Sequence, residues 1–197
     1  YIYFKEDNQI YTNLFISNET KTEINNIPFT LKLTSNFPWE NKIKFEVNGQ
    51  SETNALFAFR IPNYAKNFKI KLNSKEIEYK TENSYAKLEG LFKNDIIEIE
   101  FDAPATFIYS NSEVRADAGK VAVVKGPIVY CLEEVDNGKN LSSIFIDTDK
   151  QIKCEFDNNL LGGSEVLELS AQKIKSSQNN SLYSANKPQK EPLTVKA

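Results

Sequence analysis

The feature that most constrains this chain is a period-two alternation of apolar and polar residues, repeated in short runs. Phe29-Thr30-Leu31-Lys32-Leu33-Thr34 and Ile43-Lys44-Phe45-Glu46-Val47 each put every apolar side chain on one side of an extended strand. Such a strand buries one face and wets the other. Ile10 to Ile16, Leu56 to Ile61, Phe68 to Leu72 and Ile96 to Phe101 are strand candidates of the same kind, rich in aromatic and β-branched residues. They end at turn signals: Asn48-Gly49, Pro62, Asn73 and Pro104. Short strands at roughly ten-residue spacing are the signature of antiparallel sandwiches or barrels. No window of roughly ten residues keeps a 3.6-residue period between good caps, and Leu88 to Phe92 holds a single turn of helix at most.

Beyond residue 105 the apolar runs become continuous. Val121 to Val124 and Ile128 to Leu132, separated by Gly126-Pro127, read as strands buried on both faces. Ile144 to Ile146, Ile152 to Phe156 and Glu165 to Leu169 are further strands. From Ser176 the chain turns polar and Pro-containing, as in a loop or mobile segment, before Leu193-Thr194-Val195 alternates again. The expected fold class is all-β: two antiparallel β-sandwich domains of jelly-roll type with almost no helix. The expected division is 1–108, 109–175, and a polar loop 176–197 leading back toward the first domain and cut short.

Composition then limits the chemistry. The 197 residues include no His and no Met. Without His, no Ser-His-Asp or Cys-His set and no imidazole zinc site can form within the chain. Without Met, position 1 is expected not to be a native translation start: either the first Met was removed or the chain is a piece of a longer protein. A net charge of −3 gives no reason to expect nucleic acid. No apolar run approaches the roughly 18 residues of a membrane span. Neither nucleic acid nor membrane is expected as a partner.

The residue pairs that can carry chemistry mostly have plainer readings. Glu98 and Glu100 share a strand face at a spacing compatible with the paired acids of a glycosidase, but Ile97, Ile99 and Phe101 make the other face core and leave the glutamates wet. Glu133-Glu134-Val135-Asp136 lacks the ligand spacing of a calcium loop. Cys131 and Cys154 read as small core residues, with a disulfide between them left open. Gly162-Gly163 reads as a tight turn, having no following helix to cradle phosphate. Asn140-Leu141-Ser142 and Asn179-Asn180-Ser181 fit the glycosylation sequon without a context that gives it meaning. The aromatic residues near turns, Trp39, Tyr64 and Tyr85, are candidates for stacking on sugar rings. Arg60, a planar donor next to Ile61-Pro62, is a candidate for a domain seam.

One stretch is more specific. Arg115 to Glu133, containing Asp117-Ala118-Gly119-Lys120-Val121-Ala122 and Lys125-Gly126-Pro127-Ile128-Val129-Tyr130-Cys131-Leu132-Glu133, resembles the D-x-G-x-V-A-x-x-R/K-G-P-x-V-Y-C-x-E stretch of glycoside hydrolase family 127. Further segments resemble the family in order: Tyr11 to Ile16, Phe37-Pro38-Trp39, Phe59 to Tyr64, Ser84-Tyr85, Phe92 to Asp95, Leu161-Gly162-Gly163 and Leu193 to Ala197. Tyr64 stands where Trp is usual, and Ser84, Phe92 and Asn94 replace Gly, Trp and Gly. The resemblance implies a β-L-arabinofuranosidase-like parent with an (α/α)6 catalytic barrel followed by two sandwiches, of which this chain matches the sandwiches. It implies a zinc-bound cysteine nucleophile, a glutamate acid/base and a zinc site, all in the barrel, so no catalytic, cofactor or metal residue is expected here. The expected partners are that barrel and an arabinofuranose-containing glycan substrate, with homodimerisation left open. The rival readings are a free-standing carbohydrate-binding module and a structural β-domain with no hydrolase attached.

Overall fold

The computed structural model describes residues 1–175 and 182–197. The chain forms two compact units, Tyr1–Pro104 and Ala105–Ala197. The polar run Ser176 to Ser181, with the Asn179 sequon, lies outside the described residues. Among the described residues, helix is limited to one α turn, α1 (Glu134–Asn137), and two 3-10 turns. The all-β class expected from alternation is what the chain adopts.

The first unit contains β1 (Tyr3–Glu6), β2 (Gln9–Thr12), β3 (Asn18–Ile24), β4 (Ile27–Ser35), β5 (Lys42–Arg60), β6 (Lys66–Leu72), β7 (Lys75–Glu76), β8 (Lys80–Glu82) and β9 (Tyr85–Asp102). β5 and β9 are long and antiparallel to each other. Each has two arms. Lys42–Asn48 pairs with Asn94–Glu100, Thr53–Arg60 pairs with Tyr85–Phe92, and the register shifts between them. The arms fold onto each other. Phe45 lies in one arm and Phe57 and Phe59 in the other, yet their ring centroids are 5.6 Å and 5.2 Å apart. A straight strand would separate residues 45 and 57 by roughly 40 Å. One continuous hydrogen-bonded ribbon thus supplies both layers of the sandwich. β4 and β6 extend the first arm, and β2 and β8 the second.

This corrects the reading of Asn48-Gly49 as a turn that ends a strand, because β5 bends and continues through it. Gly49 is placed there by close approach: a Cβ would overlap the ring of Phe29, its partner across the ladder. The single helical turn expected at Leu88 to Phe92 is also corrected. Leu88 and Phe92 point into the core of the second arm, and pairing with β5 decides the backbone. β2 pairs with β5 in parallel, the one parallel ladder described in an otherwise antiparallel sheet. Three of the two-residue hairpin turns, Asn25-Asn26, Asn73-Ser74 and Asn83-Ser84, have positive φ at both residues and so match the twist of the flanking strands.

Glu98 and Glu100 sit opposite Lys44 and Lys42 on β5 and Lys71 and Lys69 on β6, with Lys42 3.5 Å from Glu100. They belong to a wet, charge-alternating face.

The second unit holds β10 (Ala105–Tyr109), β11 (Val121–Lys125), β12 (Ile128–Tyr130), β13 (Ile144–Ile146), β14 (Lys153–Asp157), β15 (Ser164–Ile174) and β16 (Lys190–Lys196). β10-β11-β12 form one sheet; β15 pairs with β13, β14 and β16 in another. Val123 from the first sheet meets Leu167, Leu169, Ala171 and Val195 from the second in a small core. Lys125 pairs with Glu165 across the two sheets.

β16 belongs to the second unit, held by its ladder with β15. Two expectations are corrected in this unit. The continuous apolar runs are not buried on both faces, since Val129 is 69% exposed and Val123 alone is fully buried among β11 and β12. Cys131 and Cys154 are exposed and unbridged. Cys131 follows a short edge strand, and β14 carries Cys154 on a strand exposed along its length. Gly162-Gly163 is the expected tight turn, with both φ values positive.

Gly49→Ala should destabilise the first unit by about 1–3 kcal/mol, because the new methyl and the Phe29 ring cannot share the space. Urea denaturation should show a lower midpoint with an unchanged slope. An unchanged midpoint would mean that the bend does not need a glycine.

Candidate functional site

The second arm of the first unit has two faces of different character. Its inner face carries Ile10, Phe57, Phe59 and Ala86, all buried. On its outer face, cross-strand register brings Phe4 (β1), Tyr11 (β2), Ala58 (β5) and Lys87 (β9) into one row. Arg60 and Tyr85 are partners in the next row. Sequence dictates this arrangement: Ile10 and Thr12 turn inward, so Tyr11 and Asn13 turn out.

The rings pack on one another. Phe4 and Tyr11 lie 5.8 Å apart and tilted, and Tyr11 meets Tyr85 edge-on at 5.3 Å. The Tyr85 hydroxyl donates to Asn13 Oδ1 at 2.6 Å, and the Tyr11 hydroxyl donates to Gln9 Oε1 at 2.8 Å. Lys87 donates to Glu82 at 2.7 Å and lies 5.9 Å from the centre of the Tyr11 ring. That bond and charge hold the Glu82 carboxyl below, and the Lys87 ammonium above, their ordinary values. A cleft of about 600 Å³ opens beside these rings, lined by Tyr1, Tyr3, Phe4, Lys5, Tyr11, Asn13 and Tyr85. Such a volume suits a small ligand or a packed side-chain cluster.

The four residues singled out in sequence fall in different places. Tyr85 lines the cleft and Arg60 stands beside it. Tyr64 packs against the core of the unit, where burial raises its phenol against the opposing charge of Arg60. Trp39 lies apart, in a turn closed by its N–H on the Asn36 carbonyl at 3.0 Å, next to the cis Phe37–Pro38 bond. Phe4, Tyr11 and Asn13 were missed as site residues. The signal was present in the alternation, had each strand been assigned an inner and an outer side.

The donor set does not fit a zinc site. The chain has no His, both cysteines are exposed, and among the described residues no three His, Cys, Asp or Glu side chains cluster as metal ligands. What the cleft offers chemically is aromatic surface with hydrogen-bonding tips and cationic neighbours.

Two domain descriptions match the chain in succession: the middle domain of a family of β-L-arabinofuranosidases, over residues 9–103, and the C-terminal domain of the same family, over residues 105–183. The chain is therefore built from consecutive β-domains of a glycoside hydrolase family. That family is glycoside hydrolase family 127, and the chain belongs to it. Over 87% of its length the chain is 31% identical to a non-reducing end β-L-arabinofuranosidase of Bifidobacterium longum subsp. longum, and it spans 27% of that protein. It matches all of its length to 32% of a crystal structure of a family 127 β-L-arabinofuranosidase from Geobacillus stearothermophilus T6, with a TM-score of 0.92 and 29% identity. A second structure, of a family 127 β-arabinofuranosidase, matches with a TM-score of 0.86 and 26% identity, over 99% of this chain and 32% of that one.

Burial raises the phenols of Tyr3, Tyr64, Tyr79 and Tyr130 above the ordinary value of 10.0. The folded state thus holds these protons more tightly than the unfolded one. Their contribution is fully present below pH 10.0 and is lost as pH rises through the raised values. Stability should therefore fall on the alkaline side, and phenolate absorbance should show a late-titrating set that merges with the rest in urea. A single titration step in the folded chain would contradict this. Tyr85→Phe should cost about 1 kcal/mol by denaturation, through loss of the bond to Asn13.

Proposed function

We propose that the chain is the non-catalytic β-sandwich part of a glycoside hydrolase acting on arabinofuranose-containing glycans, serving a catalytic (α/α)6 barrel in the same polypeptide. The observation that carries this reading is the ordered match to a middle and a C-terminal domain, spanning 27% and 32% of relatives named as β-L-arabinofuranosidases. The composition is in keeping with it: without His no Ser-His-Asp or Cys-His set forms within the chain, and among the described residues no three His, Cys, Asp or Glu side chains cluster as metal ligands. Zinc and the cysteine nucleophile implied by the family resemblance belong to the barrel in this reading. The sandwiches contribute rigid, folded surface against which a large helical domain can dock.

The test is to read the coding sequence that flanks this chain and to express the polypeptide it encodes. A helical region of several hundred residues and turnover of an aryl β-L-arabinofuranoside are expected. The 197-residue chain alone should give none. Turnover by that chain would place a catalytic set within it and sink the assignment.

A further inference from the structure

We infer that the outer aromatic face built by Phe4, Tyr11, Arg60 and Tyr85 is the seat on which the catalytic domain of the longer polypeptide docks, through an apolar surface carrying a carboxylate opposite Arg60. The inference rests on the function proposed above and names the surface through which that function is exercised.

The first argument compares two stretches of the same strands. β5 and β9 present outer faces in both of their arms. In the first arm the outer side chains are Lys42, Lys44, Glu98 and Glu100, flanked by Lys69 and Lys71 of β6. That is the composition of a face designed for water. In the second arm, the outer face carries Tyr11, Phe4 and Tyr85 beside Lys87, with Phe4 55% exposed. Packed aromatic rings on a face whose counterpart in the first arm is charged mark an interaction surface.

The second argument is connectivity. The matched domain is by description a middle domain, and relatives are about three times as long as the matched region. A domain preceding the middle domain is joined to it through β1, the strand that supplies Phe4. Such a tether holds the two surfaces at high effective concentration and favours docking at the place where the chain enters.

Charge gives the third argument. Lys87 already has Glu82 as its partner. No ion pair is formed by Arg60 or Lys5 among the described residues. A covering surface with a carboxylate would complete this edge, and Arg offers it a planar fork.

The ring geometry favours a protein occupant over a sugar. Tyr11 and Tyr85 are perpendicular, and Phe4 is tilted 53° from Tyr11. A sugar ring stacks on an open flat face, whereas edge-to-face rings interdigitate with side chains, as in a core.

Hydroxyl-radical footprinting of the 197-residue chain and of the longer polypeptide tests this. Phe4 and Tyr11 should be labelled in the chain, and their labelling should be almost completely lost in the longer polypeptide. Arg60→Glu in the longer polypeptide should restore it. Phe57, buried in the core, should stay unlabelled throughout and reports that the unit is folded. Equal labelling of Phe4 and Tyr11 in a longer polypeptide that hydrolyses an aryl β-L-arabinofuranoside overturns the docking site and leaves the proposed function standing. A flanking sequence with no catalytic region overturns both. Protection of the rings in the 197-residue chain by arabino-oligosaccharide makes the cleft a glycan site instead. Protection that grows with chain concentration makes it a contact between copies. Either result overturns docking of the catalytic domain.

Discussion

The first unit depends on one contact, the packing of Phe45 against Phe57 and Phe59. These residues belong to a single strand, and their rings meet only because the β5–β9 ribbon bends between Asn48 and Thr53. All three are fully buried. Removing aromatic surface from water contributes about 25 cal/mol per Å², so three such rings supply several kcal/mol that oppose straightening of the ribbon. Everything else in the unit is positioned by the bend. It sets β4 and β6 beside one arm and β2 and β8 beside the other, and it determines which side of each arm meets solvent. Gly49 is a local consequence of it, since the Phe29 ring occupies the space a side chain would need.

The second unit reaches closure with less apolar material. Among the described residues, five buried ones form its core, from Val123 to Val195. Lys125 and Glu165 bridge the two sheets with side chains only 16% exposed each. A pair so far from water contributes little net stability, but removing one partner strands the other charge. Tyr130 and Cys154 are close enough to this pair for its charges to act on them. Burial raises the Tyr130 phenol, with Glu165 adding to the rise, and partial desolvation raises the thiol of the otherwise exposed Cys154, with Lys125 opposing it. The pair links β11 of one sheet to β15 of the other.

Strand identity was legible because it is a local property. Alternation from Phe29 to Thr34 and from Ile43 to Val47 appears directly in β4 and β5. Order along the chain was legible too, through the segments that resemble family 127. What could not be read were features set by the partners a strand acquires. Asn48-Gly49 looks like a hairpin dipeptide, and nothing nearby in sequence says that Phe29 will lie over Gly49. Cys131 and Cys154 sit in apolar surroundings in sequence, but an edge position leaves them exposed. Val121 to Leu132 reads as doubly buried for the same reason: periodicity reports apolarity and does not report which strands flank it. β3, polar along most of its length, gave no signal and is a strand because β4 templates it.

The candidate site follows the same division. Arg60 and Tyr85 were visible as unusual residues near turns, one on each of two strands far apart in sequence. Only the antiparallel register of β5 and β9 makes them neighbours, and only the parallel pairing of β2 brings Tyr11 to the same face. Once the ladder is known, the site needs no further assumption. In a half-buried strand, period two assigns each residue to core or water, and Tyr11 and Phe4 fall on the water side. Their character conflicts with that assignment, while the lysines and glutamates of the other arm agree with it. Sequences that specify one structure keep such conflicts few, and those that persist concentrate where a surface has a second use. On these grounds the aromatic face is the part of the first unit to which we assign the proposed docking role.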